Sequence, residues 1–194
     1  MNFFKKIFSI TDKEEEEVQK QEVNLALDDL FAHNFIKKGG KFLYCLNQQE
    51  VVSNFKKVIA ENNWKDIFLL DAKLTPLINK NDVKLVNSLV EEPIIFTSCE
   101  YLIADKGEIL FSSNQLKSTR LKEFPDHFIV FATTSQLVKD TNQGLTGIKT
   151  KFKKDLPTNI SSIKNYTLNK SEDNFLNYGN NNSKNLYLLL LEDL

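Results

Sequence analysis

Apolar residues along this chain recur in two rhythms, one with helical spacing and one continuous. Over Lys13–Lys38, Val23, Leu27, Leu30, Phe31 and Asn34 fall at three- and four-residue steps. That spacing predicts a long first helix with one mostly apolar stripe against a core. Glu14–Glu17 suit its early turns, and Glu16 can pair with Lys20 one turn on, so the acidic run reads as a solvated helix face. Lys37 and Lys38 precede Gly39, a helix stop. The rhythm then turns continuous over Lys41–Cys45, a short strand. Asn47 followed by Glu50 has the spacing of a capping box, opening a helix whose Val51, Phe55, Val58 and Ile59 share one face and which ends at Asn62-Asn63. Ile67–Leu70 is an unbroken apolar run, as in a strand buried on both faces of a parallel sheet. Thr75-Pro76 predicts a short helical turn, Asn79–Asp82 a loop, and Val83–Leu89 a further helix stopped before Pro93.

Strand alternating with helix argues for an α/β fold with a mostly parallel sheet, crossovers on both faces, and ligands beyond the carboxyl ends of the strands. The stretch Ile94–Val138 departs from that alternation. Tyr101–Ala104 and Glu108–Phe111 flank three residues ending in Gly107, which predicts a β-hairpin with the glycine in the left-handed position. Ser112–Phe124 is a polar, basic arm, Phe128–Phe131 another buried strand, and Ser135–Val138 the start of a helix or turn, with Gly144 and Gly147 interrupting the chain beyond it. Pro157–Asn185, rich in Asn, Ser and Lys, reads as a long loop, and Leu186–Leu191 as the strand that closes the sheet. The expected organisation is an extension with the start of the first helix over 1–22, then a single α/β domain over 23–194.

Composition narrows the partners. The chain has 194 residues, enough for one domain that buries about 70% of its unfolded surface. A net charge of −1 offers no field for nucleic acid or an anionic membrane, and no run reaches the length of a membrane span. At the start, Phe4, Ile7 and Phe8 share a helix face, but the run is too short for a signal-peptide core, so export is not expected. Two isolated cysteines, Cys45 and Cys99, read as buried reduced thiols, which fits a cytoplasmic protein. With two histidines besides, the chain offers no metal or iron–sulfur ligand set of its own, and no cofactor is expected.

The candidate chemistry is sparse. No phosphate-loop, dinucleotide or nucleophile-elbow motif is present. Asp105 reads either as a carboxylate at a strand end or as a turn former. His127, before a buried strand, is either structural or an acid–base group if it faces a pocket. Lys117, Arg120 and Lys122 form either an anion site or a solvated arm. Cys99 lacks an adjacent base that would make it a nucleophile.

The order of elements resembles the LUD-domain family, the group containing lactate-utilisation protein C, from about Leu30 to the end. The resemblance rests on the Gly39-Gly40 lead-in to the first strand, Ile103-Ala104-Asp105 followed by Gly107, Arg120 before Pro125-Asp126-His127, the segment Ser135–Val138, and Gly179 before the last strand. It implies a three-layer α/β/α fold of the NagB/RpiA/CoA transferase-like kind. It also implies an accessory role in oxidising lactate to pyruvate with iron–sulfur partner proteins. An alternative it implies is an enzyme or binder of the isomerase, CoA-transferase or 5-formyltetrahydrofolate cyclo-ligase type, taking a small phosphate, carboxylate or nucleotide anion at Asp105, Gly107, Arg120, His127 and Gly179. Three departures bear on it. Lys106 and Glu108 replace small hydroxyl residues, an acidic segment is reduced to Ile160-Ser161-Ser162-Ile163-Lys164, and Asn182 stands in place of a glycine.

Overall fold

The computed structural model describes residues 26–79, 81–117, 119–168 and 182–193. The extension over 1–22, the acidic run Glu14–Glu17 and Gly179 lie outside them. The described part of the first helix, α1 (Leu27–Lys37), has Asp28 and Asp29 in its first turn and Lys37 in its last, each on the side that the helix dipole favours. It stops as its sequence predicts: Gly39 has φ +89°, and the N–H groups of Gly39 and Gly40 return to the carbonyls of Ile36 and Phe35. Strand β1 (Lys41–Cys45) leads to α2 (Gln48–Glu61). There Asn47 Oδ1 accepts from Glu50 N at 3.0 Å, and the Glu50 carboxylate returns to the Leu46 N–H at 2.9 Å, one residue earlier than a capping box requires.

Strand β2 (Asp66–Leu69) is followed by a 3₁₀ turn over Ala72–Leu77. Its cap is Asp71, which accepts from Lys73 N, and Pro76 sits inside the turn. The cap therefore comes four residues before the expected Thr75. Val83–Leu89, expected to be helical, instead contains β3 (Lys84–Val86), which pairs in parallel with β2. Pairing along the open edge of β2 overrides a weak local helix preference. Strand β4 (Ile94–Ser98) then runs into the hairpin of β5 (Tyr101–Ile103) and β6 (Glu108–Ser112), where Ile103 pairs with Glu108. Its turn is thus four residues, Ala104–Gly107, with Gly107 at φ +57°.

The polar arm forms a four-residue helix, α3 (Ser113–Leu116), and a 3₁₀ turn over Leu121–Glu123. Strand β7 (His127–Thr133) comes next, then the two-residue β8 (Leu137–Val138) and α4 (Thr141–Lys151). Helix α4 contains both glycines expected to break it. A Cβ on Gly144 would stand 2.9 Å from Leu110 Cδ1, and one on Gly147 would run into the Tyr101 ring, so the glycines let α4 lie close to the hairpin. Strand β9 (Ile160–Ile163) forms inside the expected loop by pairing antiparallel with β6, and β10 (Asn185–Leu191) is last.

Among the described residues the strands make two sheets. The larger, in the order β1-β10-β7-β4-β2-β3, is parallel throughout; the smaller is β8-β5-β6-β9. Alternation along β10 explains its unbroken apolar sequence. Leu186, Leu188 and Leu190 enter a core shared with α1 and the small sheet, while Tyr187 and Leu189 enter a second core under α2. Leu188 is wholly buried, so its truncation to Ala costs about 2–5 kcal/mol. The layers are therefore α2, the parallel sheet, the small sheet with α1 beside it, and α4 outside. Among the described residues no helix is long and apolar enough to cross a membrane.

Candidate functional site

Beyond the carboxyl ends of β4, β7 and β10 the polar side chains bind one another. The Glu100 carboxylate is buried. It accepts from Ser112 Oγ at 2.6 Å and from Lys151 Nζ at 2.8 Å, the latter reaching in from the last turn of α4. Ser98 Oγ donates to Asp71 Oδ2 at 2.6 Å. Gln136 Nε2 donates to the carbonyl oxygens of Cys99 (2.6 Å) and Glu100 (3.2 Å) and so ties the end of β7 to the end of β4. Past β10, Asp193 accepts from Thr134 Oγ1 and from the N–H and Oγ of Ser135, all within 2.8 Å. Desolvation pushes the Asp193 carboxyl up, but these donors, with Thr133, outweigh it and hold it down at about 2. Burial drives the Cys99 thiol far above its usual range, with the Glu100 charge adding to the effect. Cys99 is thus an inert core thiol and not a nucleophile.

A cavity of about 430 Å³ opens at this edge between α1 and the ends of β1, β7 and β10. Leu27, Tyr44 and Leu137 give it apolar walls, Thr134 and Ser135 supply hydroxyls, and among the described residues its charged lining consists of the carboxylates of Asp28 and Glu192. The Tyr44 hydroxyl is shifted up, by burial first and then by Glu192 and Asp28.

The residues singled out from the sequence are dispersed. Asp105 is exposed in the hairpin turn; its N–H donates to Lys139 O at 3.0 Å and its carbonyl accepts from Asn34 Nδ2 at 3.2 Å. Gly107 is buried against α1, and its carbonyl accepts from the Tyr166 hydroxyl at 2.8 Å. Burial, then Glu108 and Cys99, pushes that hydroxyl well above its usual range. His127 lies at the opposite, amino edge of the parallel sheet. Its Nδ1 is 2.9 Å from Asn185 Nδ2, its ring is 5.4 Å from that of Trp64, and burial lowers its pKa. Arg120 caps the 3₁₀ turn before β7 and lines a polar pocket of about 390 Å³ with Lys122, Ser161, Ser162, Lys164 and Asn182. Neither Asp105 nor His127 is among the described residues that line the Arg120 pocket or the cavity beside α1.

A profile of the LUD domain matches residues 88–191, from the lead-in of β4 to the end of β10. The chain belongs to the LUD-domain family. The fold is similar to that in the crystal structure of a DUF162 family protein from Deinococcus radiodurans, with a TM-score of 0.61 and 14% identity over 87% of this chain and 99% of that one. No curated protein matches the chain in sequence.

Within this LUD domain, Ile160–Ile163 forms β9, at the edge of its sheet among the described residues, and Ser161, Ser162 and Lys164 line the same pocket as Arg120. Sequence reasoning missed that grouping, because Ile-Ser-Ser-Ile has neither strand alternation nor a continuous apolar run. Lys184 was missed as well. It is buried, donates to Phe124 O at 2.7 Å and faces Asp126 at 3.7 Å, and burial lowers its pKa. The only sign of it in the sequence is its place directly before an apolar strand.

Proposed function

We propose that this LUD-domain protein is an accessory protein of lactate utilisation, acting through contacts with iron–sulfur partner proteins while the oxidation of lactate takes place on those partners. Membership of the LUD-domain family supports a lactate-related role in general. The accessory part rests on the charge of the cavity at the carboxyl edge. Lactate and pyruvate are anions, and the cavity faces them with Asp28 and Glu192. Each carboxylate within about 4 Å of a bound anion opposes it by roughly 1–4 kcal/mol, depending on the local dielectric, or about one to three powers of ten in affinity. The hydroxyls of its lining, on Thr134 and Ser135, already donate to the Asp193 carboxylate.

The test is co-expression of the full chain with the iron–sulfur proteins of a lactate-oxidising system, then gel filtration. The expected result is that the cluster absorbance co-elutes with this chain and that calorimetry detects no lactate binding to the chain alone. Separate elution together with tight lactate binding overturns the proposal.

A second reading, a small-molecule binder or enzyme of the isomerase or CoA-transferase type, is favoured by one observation, the cationic pocket under Arg120.

A further inference from the structure

We propose that the pocket between Arg120 and β9 is a binding site for a small phosphorylated ligand, held by its phosphate group. Such a site deepens the reading of the chain as a small-molecule binder and requires no catalysis.

Arg120, Lys122 and Lys164 bring three positive charges to a concavity of about 390 Å³ whose lining, among the described residues, contains no carboxylate. Among the described residues, no ion pair neutralises any of the three. Exposed cations usually solvate freely, but these are fixed from below. Leu121, between Arg120 and Lys122, is 1% exposed, and Ile163, directly before Lys164, is 0% exposed. Each buried residue anchors its neighbour's backbone and so fixes where the three side chains start, while ordering each exposed side chain on a ligand costs about 0.5–1.5 kcal/mol. The turn is held further by the Arg120 N–H, which donates to Glu123 Oε2 at 2.9 Å.

The remaining lining is neutral and rich in donors. Ser161 and Ser162 supply hydroxyls. Asn159 Nδ2 donates to Ser161 Oγ at 3.2 Å and so orients that hydroxyl's own proton away from Asn159. Asn182 Nδ2 donates to Ser162 O at 3.4 Å and closes one wall. Among the described residues β9 is the outermost strand of its sheet, so this wall is a strand edge. A guanidinium fork, two ammonium groups and hydroxyls match a tetrahedral dianion better than a monocarboxylate, because a dianion uses more of the charge and more of the donors.

The experiment is calorimetric titration of the full chain with inorganic phosphate, with glucose 6-phosphate and AMP as two further arms, all at fixed ionic strength. Saturable phosphate binding is expected, weakened at least tenfold in Arg120→Ala/Lys164→Ala and unchanged in Lys149→Ala, a charge removed from the exposed face of α4. A tighter fit to the sugar phosphate or to the nucleotide identifies what the rest of the pocket holds. Because the two altered side chains are exposed, the Tm should be unchanged; Lys122→Ala alone is the second variant and should also weaken binding. Absence of saturable binding overturns the site, as does a loss equally large in Lys149→Ala. Failure to find turnover with any of these ligands removes the enzyme reading and leaves the site intact.

Discussion

Gly107 packs its Cα against the backbone of Phe35: a Cβ there would stand 2.9 Å from Phe35 Cα and 2.6 Å from the carbonyl carbon of Asn34. Both obstacles are helix backbone, which cannot swing aside, and the glycine also holds φ +57°. Gly107→Ala is therefore expected to cost about 3 kcal/mol or more, from left-handed strain plus displacement of α1, and to lower the Tm by roughly 6–12 °C. Gly147→Ala is the contrast. Its obstacle is the ring of Tyr101, a side chain that can move, and Ala favours the helix, so about 1 kcal/mol or less is expected. Thermal melts of the two variants check this, and equal losses would refute the packing role of Gly107.

The Glu100–Lys151 pair joins α4 to the end of β4. Its two ends differ in exposure, with the Glu100 side chain at 1% and that of Lys151 at 54%. Solvent screening at Lys151 weakens the ion pair itself, so most of the cost of breaking it lies in the buried carboxylate left with Ser112 as its remaining side-chain donor. Lys151→Ala is expected to cost about 1–2 kcal/mol. Glu100→Gln keeps an acceptor for Ser112 and should cost less, and the double variant should be more stable than the sum of the two losses implies. Denaturant midpoints in a double-mutant cycle measure this coupling. Strict additivity would mean that Lys151 does nothing for Glu100.

Asp193 makes a comparable clamp at the end of β10, and its effect depends on pH in the usual carboxylate direction. Its folded pKa of about 2 lies below the unfolded value. Its contribution is thus fully present above about pH 4 and lost as pH falls toward 2. Asp193→Asn should remove part of the difference in urea midpoint between pH 5 and pH 2.5. If wild type and variant lose stability in parallel over that range, the clamp is not the cause.

How far the sequence alone reaches depends on where each element gets its stability. The runs Phe128–Phe131 and Leu186–Leu191 are legible because both faces of those strands are buried, which demands unbroken apolar residues. The strand Lys84–Val86 and the strand Ile160–Ile163 exist through their partners β2 and β6, and nothing within three or four residues signals that pairing. Helix α4 was hidden by Gly144 and Gly147, whose purpose shows only when Leu110 and Tyr101 are placed beside them. The candidate site divides in the same way. Gly107 is legible as a residue that needs a left-handed φ, yet the reason for a glycine is the backbone of Phe35, 72 positions earlier by their numbers. Arg120 is legible as a cation, while its companions Ser161, Ser162 and Lys164 arrive through tertiary structure.

His127 gives a pH dependence of the opposite origin. The Asn185 amide nitrogen is a donor, so the His127 Nδ1 that it meets at 2.9 Å accepts, and the ring is the neutral tautomer with its proton on Nε2. Burial lowers the pKa, and Lys41 pushes in the same direction, while Asp126 and Glu92 oppose them. Since the folded pKa lies below the unfolded one, the unfolded chain binds more protons in the interval between them. Stability is then full above about pH 6.5 and declines as pH falls through the folded pKa. Protonation would set an Nδ1–H against the Asn185 amide donor and free the amide from the pair that aligns the first residues of β7 and β10. Urea unfolding at pH 8 and pH 5.5 should show the wild type losing more stability on acidification than His127→Gln, whose amide can still accept from Asn185 without titrating. An imidazole titration monitored by NMR should place the His127 midpoint below 6.5 and move it upward in Asn185→Ala. A midpoint at or above the ordinary histidine value would show that the buried, neutral state does not govern this edge of the sheet.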